Sequence, residues 1–458
     1  MKIIKFNIGI TIALLVILSG CKKYLDAKSD KSLVIISNTQ DLQSLLDDNQ
    51  NINWSNPSSD EASSDEYYLD YSSYLALPEV QKRNLYTWQP TDLFRPYTNL
   101  PNDWNLVYNN IYVANTVLDN MIKVNRNNAN ASDWDNIKGQ ALFLRAHSFY
   151  KAATIWTLAY DNTTSSSDLG IPLRLNSNFN EISVRSTNEQ TYTQIINDLK
   201  AAIPLLVITP VHVLRASKPA AYGLLARTYL SMRKYDLAAL YADSCLQLKN
   251  SLLDYNTLNA LSAYPIPQFN SEVIYDATVG GYDSGLISDS QAKIDSVLYS
   301  SYAANDLRKI LFFTTNGDGS HFFKGSYEGT FSQFNGVAID EIYLIRAECN
   351  ARQGHVNNAM SDLNTLLAKR YKSGTFTPIS ASNSSDALSK ILTERHKELV
   401  MRGNRWADIK RLNKEGAGIN LNRNLNGKIF TLPANDLRFA LPLPNDIIAL
   451  SGMQQNPR

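Results

Sequence analysis

A helical hairpin that occurs twice in the chain constrains the fold more than any other sequence feature. In the stretch 219–249, small and aromatic residues recur at helical spacings of three and four residues, which places them on one face of each helix. The two faces consist of Tyr222, Leu225, Ala226 and Tyr229 and, after a short break at 233–234, of Tyr235, Ala238, Ala242 and Cys245. Small residues at a helix contact let two helices approach closely. The stretch is therefore predicted to form a packed helical hairpin.

The same pattern returns at 339–370. Twelve residues separate Ala226 from Ala238 in the first copy, and twelve separate Ala347 from Ala359 in the second. These spacings resemble the tetratricopeptide repeat, a unit of about 34 residues whose helix pairs stack because none can bury its apolar face alone. An ordinary helical core is the alternative, since alanine and tyrosine at this spacing are common there too.

Helical periodicity extends over much of the remaining chain. A short helix is predicted at 41–46, a first long hairpin from Asp103 onward, a single helix at 192–206 and a last pair within 394–411. Between 249 and 336 the helical pattern lapses, and Asn-Gly and Asp-Gly at 316–319 predict a β-hairpin, because these pairs favour the positive φ angles of tight turns. The predicted fold is all-α, with about four tetratricopeptide-like helix pairs, long irregular loops and a small β-hairpin insertion.

Two irregular segments, at about 50–100 and 250–335, are rich in aromatic residues and are predicted to face a ligand. Loops on a rigid scaffold commonly bind ligands, and aromatic rings stack on the apolar faces of sugars. The candidate ligand-binding residues are Tyr67, Tyr68, Tyr71, Tyr74, Trp88, Tyr282 and Tyr302. For each of them a place in the hydrophobic core is the alternative, because composition does not separate the two roles.

Five acidic residues lie within the first irregular segment. They are Asp60, Glu61, Asp65, Glu66 and Asp70. Carboxylate oxygens can bind calcium, but this set lacks the ordered spacing and the glycine of a known calcium loop. A solvated acidic loop is therefore predicted, without a metal site.

The amino terminus has the pattern of an exported lipoprotein. Lys2 and Lys5 precede an apolar run at 8–18 that is too short to span a bilayer, and Leu-Ser-Gly-Cys follows at 18–21. This tetrapeptide resembles a bacterial lipobox, which implies removal of the signal peptide 1–20 and acylation of Cys21 at its thiol and new amino group. Several acyl chains together anchor a protein stably. The alternative is a secreted protein with a chance cysteine.

Composition limits the possible domains and partners. The chain has 458 residues, of which 44% are hydrophobic, so it can bury one large core or two ordinary ones. The interpretation adopted is a tether at 21–38 and a single domain at 39–458. Because 44 basic residues face 43 acidic ones, a nucleic-acid partner is disfavoured. Cys245 and Cys349 lie among apolar neighbours and are predicted to be buried, free thiols.

The segment 394–411, ERHKELVMRGNRWADIKR, places charged residues where ion pairs can form along and between helices. It also resembles the signature of the SusD/RagB family of outer-membrane nutrient-binding lipoproteins, E-R-x-x-E-L followed by G-x-R-W-x-D-I/L-x-R. Further similar elements are Cys21-Lys22-Lys23-Tyr24-Leu25-Asp26, the Trp104 to Asn115 helix, Ala141 to Ala146, Leu441-Pro442-Leu443-Pro444 and Gln454-Gln455-Asn456-Pro457. Arg402 stands where many members of the family have glutamate. The Gly-Tyr pair that ends many members does not follow Arg458. These departures concern subfamily and substrate.

The resemblance implies a surface-exposed, lipid-anchored outer-membrane protein that captures a nutrient, usually an oligosaccharide. It further implies a position as a lid on a SusC-like TonB-dependent transporter, with the helical repeats forming the face that meets it. Sugar binding would combine aromatic stacking with polar side chains that hydrogen-bond hydroxyls. A peptide ligand on the same architecture is the alternative, and a pure interaction scaffold is a third. No cofactor is implied.

Catalysis finds little support in the sequence. The five histidines lack the spacing of a zinc site, and there is neither a G-x-S-x-G nucleophile elbow nor a Gly-x4-Gly-Lys phosphate loop. A glycosidase carboxylate pair stays open, because its separation is set by the fold. The chain is therefore predicted to bind its ligand without transforming it.

Overall fold

The computed structural model describes residues 36–97 and 100–458, except for the side chains at 282 and 283. The predicted signal peptide 1–20, the lipidation site Cys21 and most of the tether 21–38 lie outside these residues. Within the described part of the chain, no helix combines the length and apolar character needed to cross a membrane.

Helices make up most of the regular secondary structure in the described part of the chain. In order they are α1 (Thr39–Leu46), α2 (Asn49–Ile52), α3 (Ser59–Ala62), α4 (Tyr71–Ala76), α5 (Val80–Tyr86), α6 (Asp103–Asn120), α7 (Ala131–Trp156), α8 (Asn188–Ala202), α9 (Lys218–Ser231), α10 (Tyr235–Leu248), α11 (Ser296–Ser300), α12 (Arg308–Leu311), α13 (Ile339–Arg352), α14 (Val356–Leu367), α15 (Ser384–Glu398), α16 (Arg405–Asn413) and α17 (Asn445–Ser451). This order confirms the predicted all-α class.

The strands are short and pair in twos. They are β1 (Tyr67–Tyr68), β2 (Leu169–Pro172), β3 (Arg185–Thr187), β4 (Val273–Tyr275), β5 (Lys293–Ile294), β6 (Phe313–Thr315), β7 (His321–Phe323), β8 (Val337–Ala338), β9 (Leu421–Leu425) and β10 (Lys428–Leu432). The antiparallel pairs are β1–β5, β2–β3, β4–β8, β6–β7 and β9–β10. The β6–β7 hairpin is the predicted one. The β9–β10 hairpin was not predicted, although Asn426-Gly427, both at positive φ, occupy its turn.

Side-chain caps explain where the long helices begin. Asn102 caps α6 and Thr187 caps α8, each within a capping box. Ser217 caps α9, where Pro219 lies in the first turn and needs no helical hydrogen bond. The predicted start near Asp103 therefore agrees with local capping chemistry, whereas α8 begins four residues before the predicted start at 192.

The long helices pack one on the next in the order α6, α7, α8, α9, α10, α13 and α14, and α15 packs on α13. Ala226 and Ala238 are fully buried at the α9–α10 contact, and Ala347 and Ala359 are fully buried at the α13–α14 contact. This confirms the repeated hairpin, because only small residues allow such close packing. Cys245 belongs to the same core. It and Cys349 are free and buried, as predicted.

A buried ion pair joins the first three long helices. Arg145 of α7 donates to both carboxylate oxygens of Asp198 of α8, at 2.8 and 2.7 Å. The same guanidinium donates to Asn115 Oδ1 of α6 at 3.0 Å. An exposed pair of similar geometry, Arg126–Asp135 at 2.9 and 2.8 Å, lies at the start of α7.

These two pairs predict different costs for the same substitution. Arg145→Met should lower the free energy of unfolding by about 3–5 kcal/mol, because it leaves the carboxylate of Asp198 buried without its cation. Arg126→Met should cost less than about 1 kcal/mol, because water solvates the exposed aspartate. Urea unfolding at neutral pH measures both changes. Equal losses for the two variants would contradict this account of the α6–α8 contact.

Candidate functional site

The two irregular segments meet through the β1–β5 pair. Tyr67 lies opposite Ile294, and Tyr68 lies opposite Lys293. Directly opposed residues of an antiparallel pair share a face, and successive residues alternate faces. Tyr67 and Ile294 accordingly point into the core, while Tyr68 points outward beside Lys293. This pairing joins positions more than 200 residues apart, which no local sequence pattern could have indicated.

Two tyrosines on this outer surface are available to a ligand. Tyr68 is 38% exposed and Tyr71, at the start of α4, is 43% exposed. Tyr74 is half-buried against Tyr86, with 5.9 Å between the ring centroids. Tyr68 and Tyr71 can therefore present ring faces, and Tyr74 contributes mainly to packing. We call Tyr68, Tyr71, Asp70, Lys293 and Asp318 the tyrosine–lysine surface.

Charged groups accompany the two exposed rings. Lys293 Nζ lies 3.0 Å from Asp70 and 2.6 Å from Asp318, which sits in the turn of the β6–β7 hairpin. A hydrogen bond from the Ser73 backbone, with those from Ser72 and Lys293, lowers the pKa of Asp70. The hydrogen bond from Lys293 lowers the pKa of Asp318. All three groups are charged at neutral pH and can exchange hydrogen bonds with hydroxyls.

Three of the candidate ligand-binding aromatic residues belong to the hydrophobic core. Tyr67, Trp88 and Tyr302 are each 1% exposed. Their polar atoms are already used: Tyr67 donates to the Ala62 carbonyl at 2.6 Å, Trp88 to Ser63 at 3.0 Å and Tyr302 to Lys397 at 2.7 Å. The prediction that these three rings contact a ligand is therefore wrong, because they are sealed in the core. The side chain of Tyr282 lies outside the described residues.

The acidic set is not a solvated loop, contrary to the prediction. Asp60, Glu61 and Glu66 are at most 1% exposed. Asp65 forms a two-hydrogen-bond pair with Arg405 at 2.7 and 2.8 Å. Asp70 caps α4. Among the described residues, no group of three or more histidine, cysteine, aspartate or glutamate side chains is arranged to hold a metal ion.

The turn between α15 and α16 explains the burial of Glu61 and Glu66. The backbone N–H of Met401 donates to Glu66 at 2.6 Å, and that of Gly403 donates to Glu61 at 2.7 Å. Met401 and Gly403 both have positive φ, of 60° and 66°. The motif that resembles the family signature thus binds the first irregular segment through main-chain donors as well as through Arg405.

Glu61 and Glu66 form a pair of buried carboxyl groups. Burial raises the pKa of Glu66 well above its usual value, and the adjacent carboxyl of Glu61 raises it further. Burial also raises the pKa of Glu61. His396 approaches Glu66 at 3.6 Å, but burial lowers the pKa of this histidine to about 4, so it is neutral near pH 7. The pair therefore holds a proton more tightly than an isolated glutamate does.

A separate concave surface lies beside α6. Its cavity, of about 610 Å³, is bounded by α6, the segment that follows β2, and the C-terminal residues around α17. Tyr112, Phe179, Ile182 and Leu450 line it and are 47–84% exposed. The nearby polar groups are occupied internally, for example Arg174 by the Glu181 carbonyl at 2.6 Å. The cavity was not predicted, because its walls come from three distant parts of the chain.

Comparison with known families identifies the class of protein. A family model described as "Starch-binding associating with outer membrane" matches residues 23–230, and the model of the SusD family matches residues 339–457. The two matches together cover more than half of the chain, which belongs to the SusD family. The resemblance of the segment 394–411 to the SusD/RagB signature is thereby confirmed. No curated protein matches the chain.

Solved structures show the same fold. A SusD superfamily protein from Bacteroides thetaiotaomicron VPI-5482 is 20% identical, covers 92% of this chain and 100% of its own, and has a TM-score of 0.74. A SusD-like carbohydrate binding protein from Bacteroides vulgatus ATCC 8482 is 20% identical, with coverages of 91% and 97% and a TM-score of 0.66. A laminarin binding SusD-like protein is 18% identical, with the same coverages and a TM-score of 0.64. The names that state a function describe binding.

The buried carboxyl pair predicts a pH dependence of stability. In the unfolded chain Glu66 loses its proton near the usual pKa of glutamate, whereas in the folded protein it retains the proton to higher pH. The folded protein therefore loses stability as the pH rises from the unfolded to the folded pKa of Glu66. The loss is at most about 1.4 kcal/mol per pH unit for one proton. Glu66→Gln cannot titrate but still accepts the Met401 N–H. It should therefore lose less stability than the wild type between about pH 5 and pH 8.

Urea unfolding across this pH range measures the effect. Glu189→Gln, at an exposed position of α8, serves as the control and should keep the wild-type slope. Parallel pH profiles for Glu66→Gln and the wild type would show that the pair does not retain its proton.

Proposed function

We propose that this chain is a cell-surface lipoprotein that binds a nutrient oligosaccharide at the tyrosine–lysine surface and delivers it to a SusC-like TonB-dependent transporter. The observation that carries the proposal is the β1–β5 register, which places exposed Tyr68 next to Lys293 and its two aspartates. Sugar rings offer apolar C–H faces surrounded by hydroxyls. An aromatic platform with a charged hydrogen-bonding rim complements both features.

A sugar fits this surface better than a peptide does. This surface consists of two exposed tyrosine rings and a partly buried lysine that two carboxylates already neutralise, so it offers no free cation for a peptide carboxylate. Family membership supports the same choice, since the matching family model is described as starch-binding and one relative of the same fold as laminarin binding. Peptide binding remains the alternative that the experiment distinguishes.

The membrane anchor and the partner rest on other features. The lipobox-like sequence supports acylation at Cys21, and the family model's description supports association with the outer membrane. For the transporter contact, we favour the rim of the cavity beside α6. Exposed apolar side chains such as Phe179, Ile182 and Leu450 commonly mark protein contacts, and α6 belongs to the helical frame.

Alanine substitutions test the ligand surface. Tyr68→Ala and Tyr71→Ala should each weaken glycan binding about five- to 100-fold, because an aromatic ring that stacks on a flat ligand contributes roughly 1–3 kcal/mol. Affinity electrophoresis in gels containing candidate polysaccharides, followed by calorimetry with the one that retards the protein, measures the change. Tyr112→Ala is the matched control, since Tyr112 is similarly exposed but lines the cavity beside α6.

The outcomes separate the alternatives. Loss of retardation in the two surface variants but not in Tyr112→Ala supports the proposed site. The reverse pattern would move glycan binding to the cavity. Retardation by no polysaccharide, together with binding to a peptide mixture, would favour the peptide alternative. Release of reducing sugar in proportion to protein would show hydrolysis and contradict binding without catalysis.

Lipidation has its own test. Replacing the acceptor thiol in Cys21→Ser should abolish incorporation of labelled fatty acid and move the protein from the membrane to the soluble fraction, because the acyl chains supply the anchor. Labelling in the native host, with fractionation of its membranes, measures both effects. An unmodified Cys21 in the wild type would overturn this part of the proposal.

A further inference from the structure

Two buried carboxyl groups outside the tyrosine–lysine surface face each other without a cation. Asp276, directly after β4, is 0% exposed, and Glu328 is 4% exposed. Burial and, to a smaller extent, the nearby carboxyl of Glu328 raise the pKa of Asp276 to about 8. Burial likewise raises the pKa of Glu328 to about 7. The two groups are close enough to influence each other's charge.

Neighbouring buried carboxylates are paired with arginines. Glu272 lies 2.8 Å from Arg370, and Asp340 lies 3.0 Å from Arg402. A buried carboxylate is stable only when it is paired, protonated or bound to a metal. Arg402 acts weakly on Glu328 but is already engaged by Asp340. Within the described residues, Asp276 and Glu328 therefore have no basic partner of their own.

Oxygen atoms without close hydrogen bonds are concentrated at this pair. Both carboxylate oxygens of Asp276, Oε1 of Glu328 and Oγ1 of Thr278 make no close hydrogen bond, although these side chains are at most 4% exposed. The Trp54 indole lies near the Asp276 carboxyl. Thr278 follows Asp276 by two residues, and its side-chain hydroxyl lies near the carboxyl of Glu328. Gln268 Nε2 donates to the other oxygen of Glu328 at 2.7 Å.

We propose that Asp276, Glu328 and Thr278 bind a divalent cation, with calcium as the preferred ion. Hard oxygen atoms are the ligands that calcium and magnesium favour, and calcium tolerates irregular sets of carboxylate, carbonyl and water oxygens. The unpartnered oxygens supply part of such a set, and water completes it. The cation neutralises the two carboxylates, as arginines neutralise Glu272 and Asp340.

The site has a structural role, because it lies where the two irregular segments touch. Asn53 Nδ2 donates to the main-chain carbonyl of Asp276 at 2.8 Å. The Trp54 indole lies beside the Asp276 carboxyl. The backbone N–H of Thr278 donates to the Asn53 carbonyl at 2.7 Å. A bound cation therefore fixes β4 and the residues that follow it against the segment at 53–56.

Terbium luminescence tests the position of the site. Terbium replaces calcium at oxygen sites and emits when a nearby indole absorbs light, so Trp54 is a built-in donor. We expect sensitised emission from the EGTA-treated full-length protein, displaced by calcium. Asp276→Asn and Glu328→Gln should abolish it, and Trp54→Phe should reduce it. Glu189→Gln, an exposed acid-to-amide control, should leave it unchanged.

Thermal unfolding provides the second readout. Saturating calcium should raise the melting temperature of the wild type by roughly 1–4 °C over EGTA, since a ligand that binds only the folded state stabilises it. Asp276→Asn and Glu328→Gln should not respond, and circular dichroism establishes that each is folded. If either Asp276→Asn or Glu328→Gln does not fold, the other variant still tests the site.

Two results would overturn the proposal. If calcium and terbium leave the wild type unchanged, the two carboxyl groups share a proton rather than a metal. If both variants respond to calcium like the wild type, the ion binds elsewhere. Neither result bears on glycan binding, because the variants for that test lie in the tyrosine–lysine surface.

Discussion

Buried contacts between the α15–α16 segment and acidic side chains hold the helical frame to the loops that carry the candidate site. Arg405 pairs with Asp65, and the main-chain N–H groups of Met401 and Gly403 satisfy the two buried glutamates of the same loop. These donors replace the water that the carboxyl groups lose on burial. Without the donors, burial of the loop would carry an uncompensated desolvation cost. The segment 394–411, which resembles the family signature, thus binds the first irregular segment to the helices; we call it the clamp. Sequence patterns do not indicate this role, because the two segments are far apart in the chain.

This clamp has a direct consequence for the ligand surface. The loop it holds continues into β1, whose pairing with β5 decides that the ring of Tyr67 is buried and that of Tyr68 is exposed. A shift of one residue in this register would exchange the two rings. Buried Trp88 supports the same loop by donating to Ser63. Aromatic side chains packed in the core therefore position the exposed tyrosines. This arrangement preorganises the surface for a ligand, which lowers the entropic cost of binding.

Buried acids in this fold are stabilised in three ways. Arginines neutralise Asp198, Glu272 and Asp340, whereas Glu61 and Glu66 rely on main-chain donors and a retained proton. The third arrangement, at Asp276 and Glu328, has neither an arginine nor main-chain donors, and we propose a cation there. The difference matters because each arrangement responds to a different condition. Salt bridges weaken when the acid is protonated, the proton-sharing pair weakens as pH rises, and a cation site weakens under chelation.

The sequence by itself determined the long helices, the small residues at helix contacts, one β-hairpin and the family, because these depend on neighbours a few residues apart. Tertiary structure alone decided which tyrosines of the aromatic loops are exposed, since Tyr67 and Tyr68 have the same local surroundings and differ only in what β5 brings to them. It also buried Glu61 and Glu66, which local sequence indicated as solvated, by supplying donors from more than 300 residues away. Periodicity specifies a face, but only the folded chain specifies what covers it.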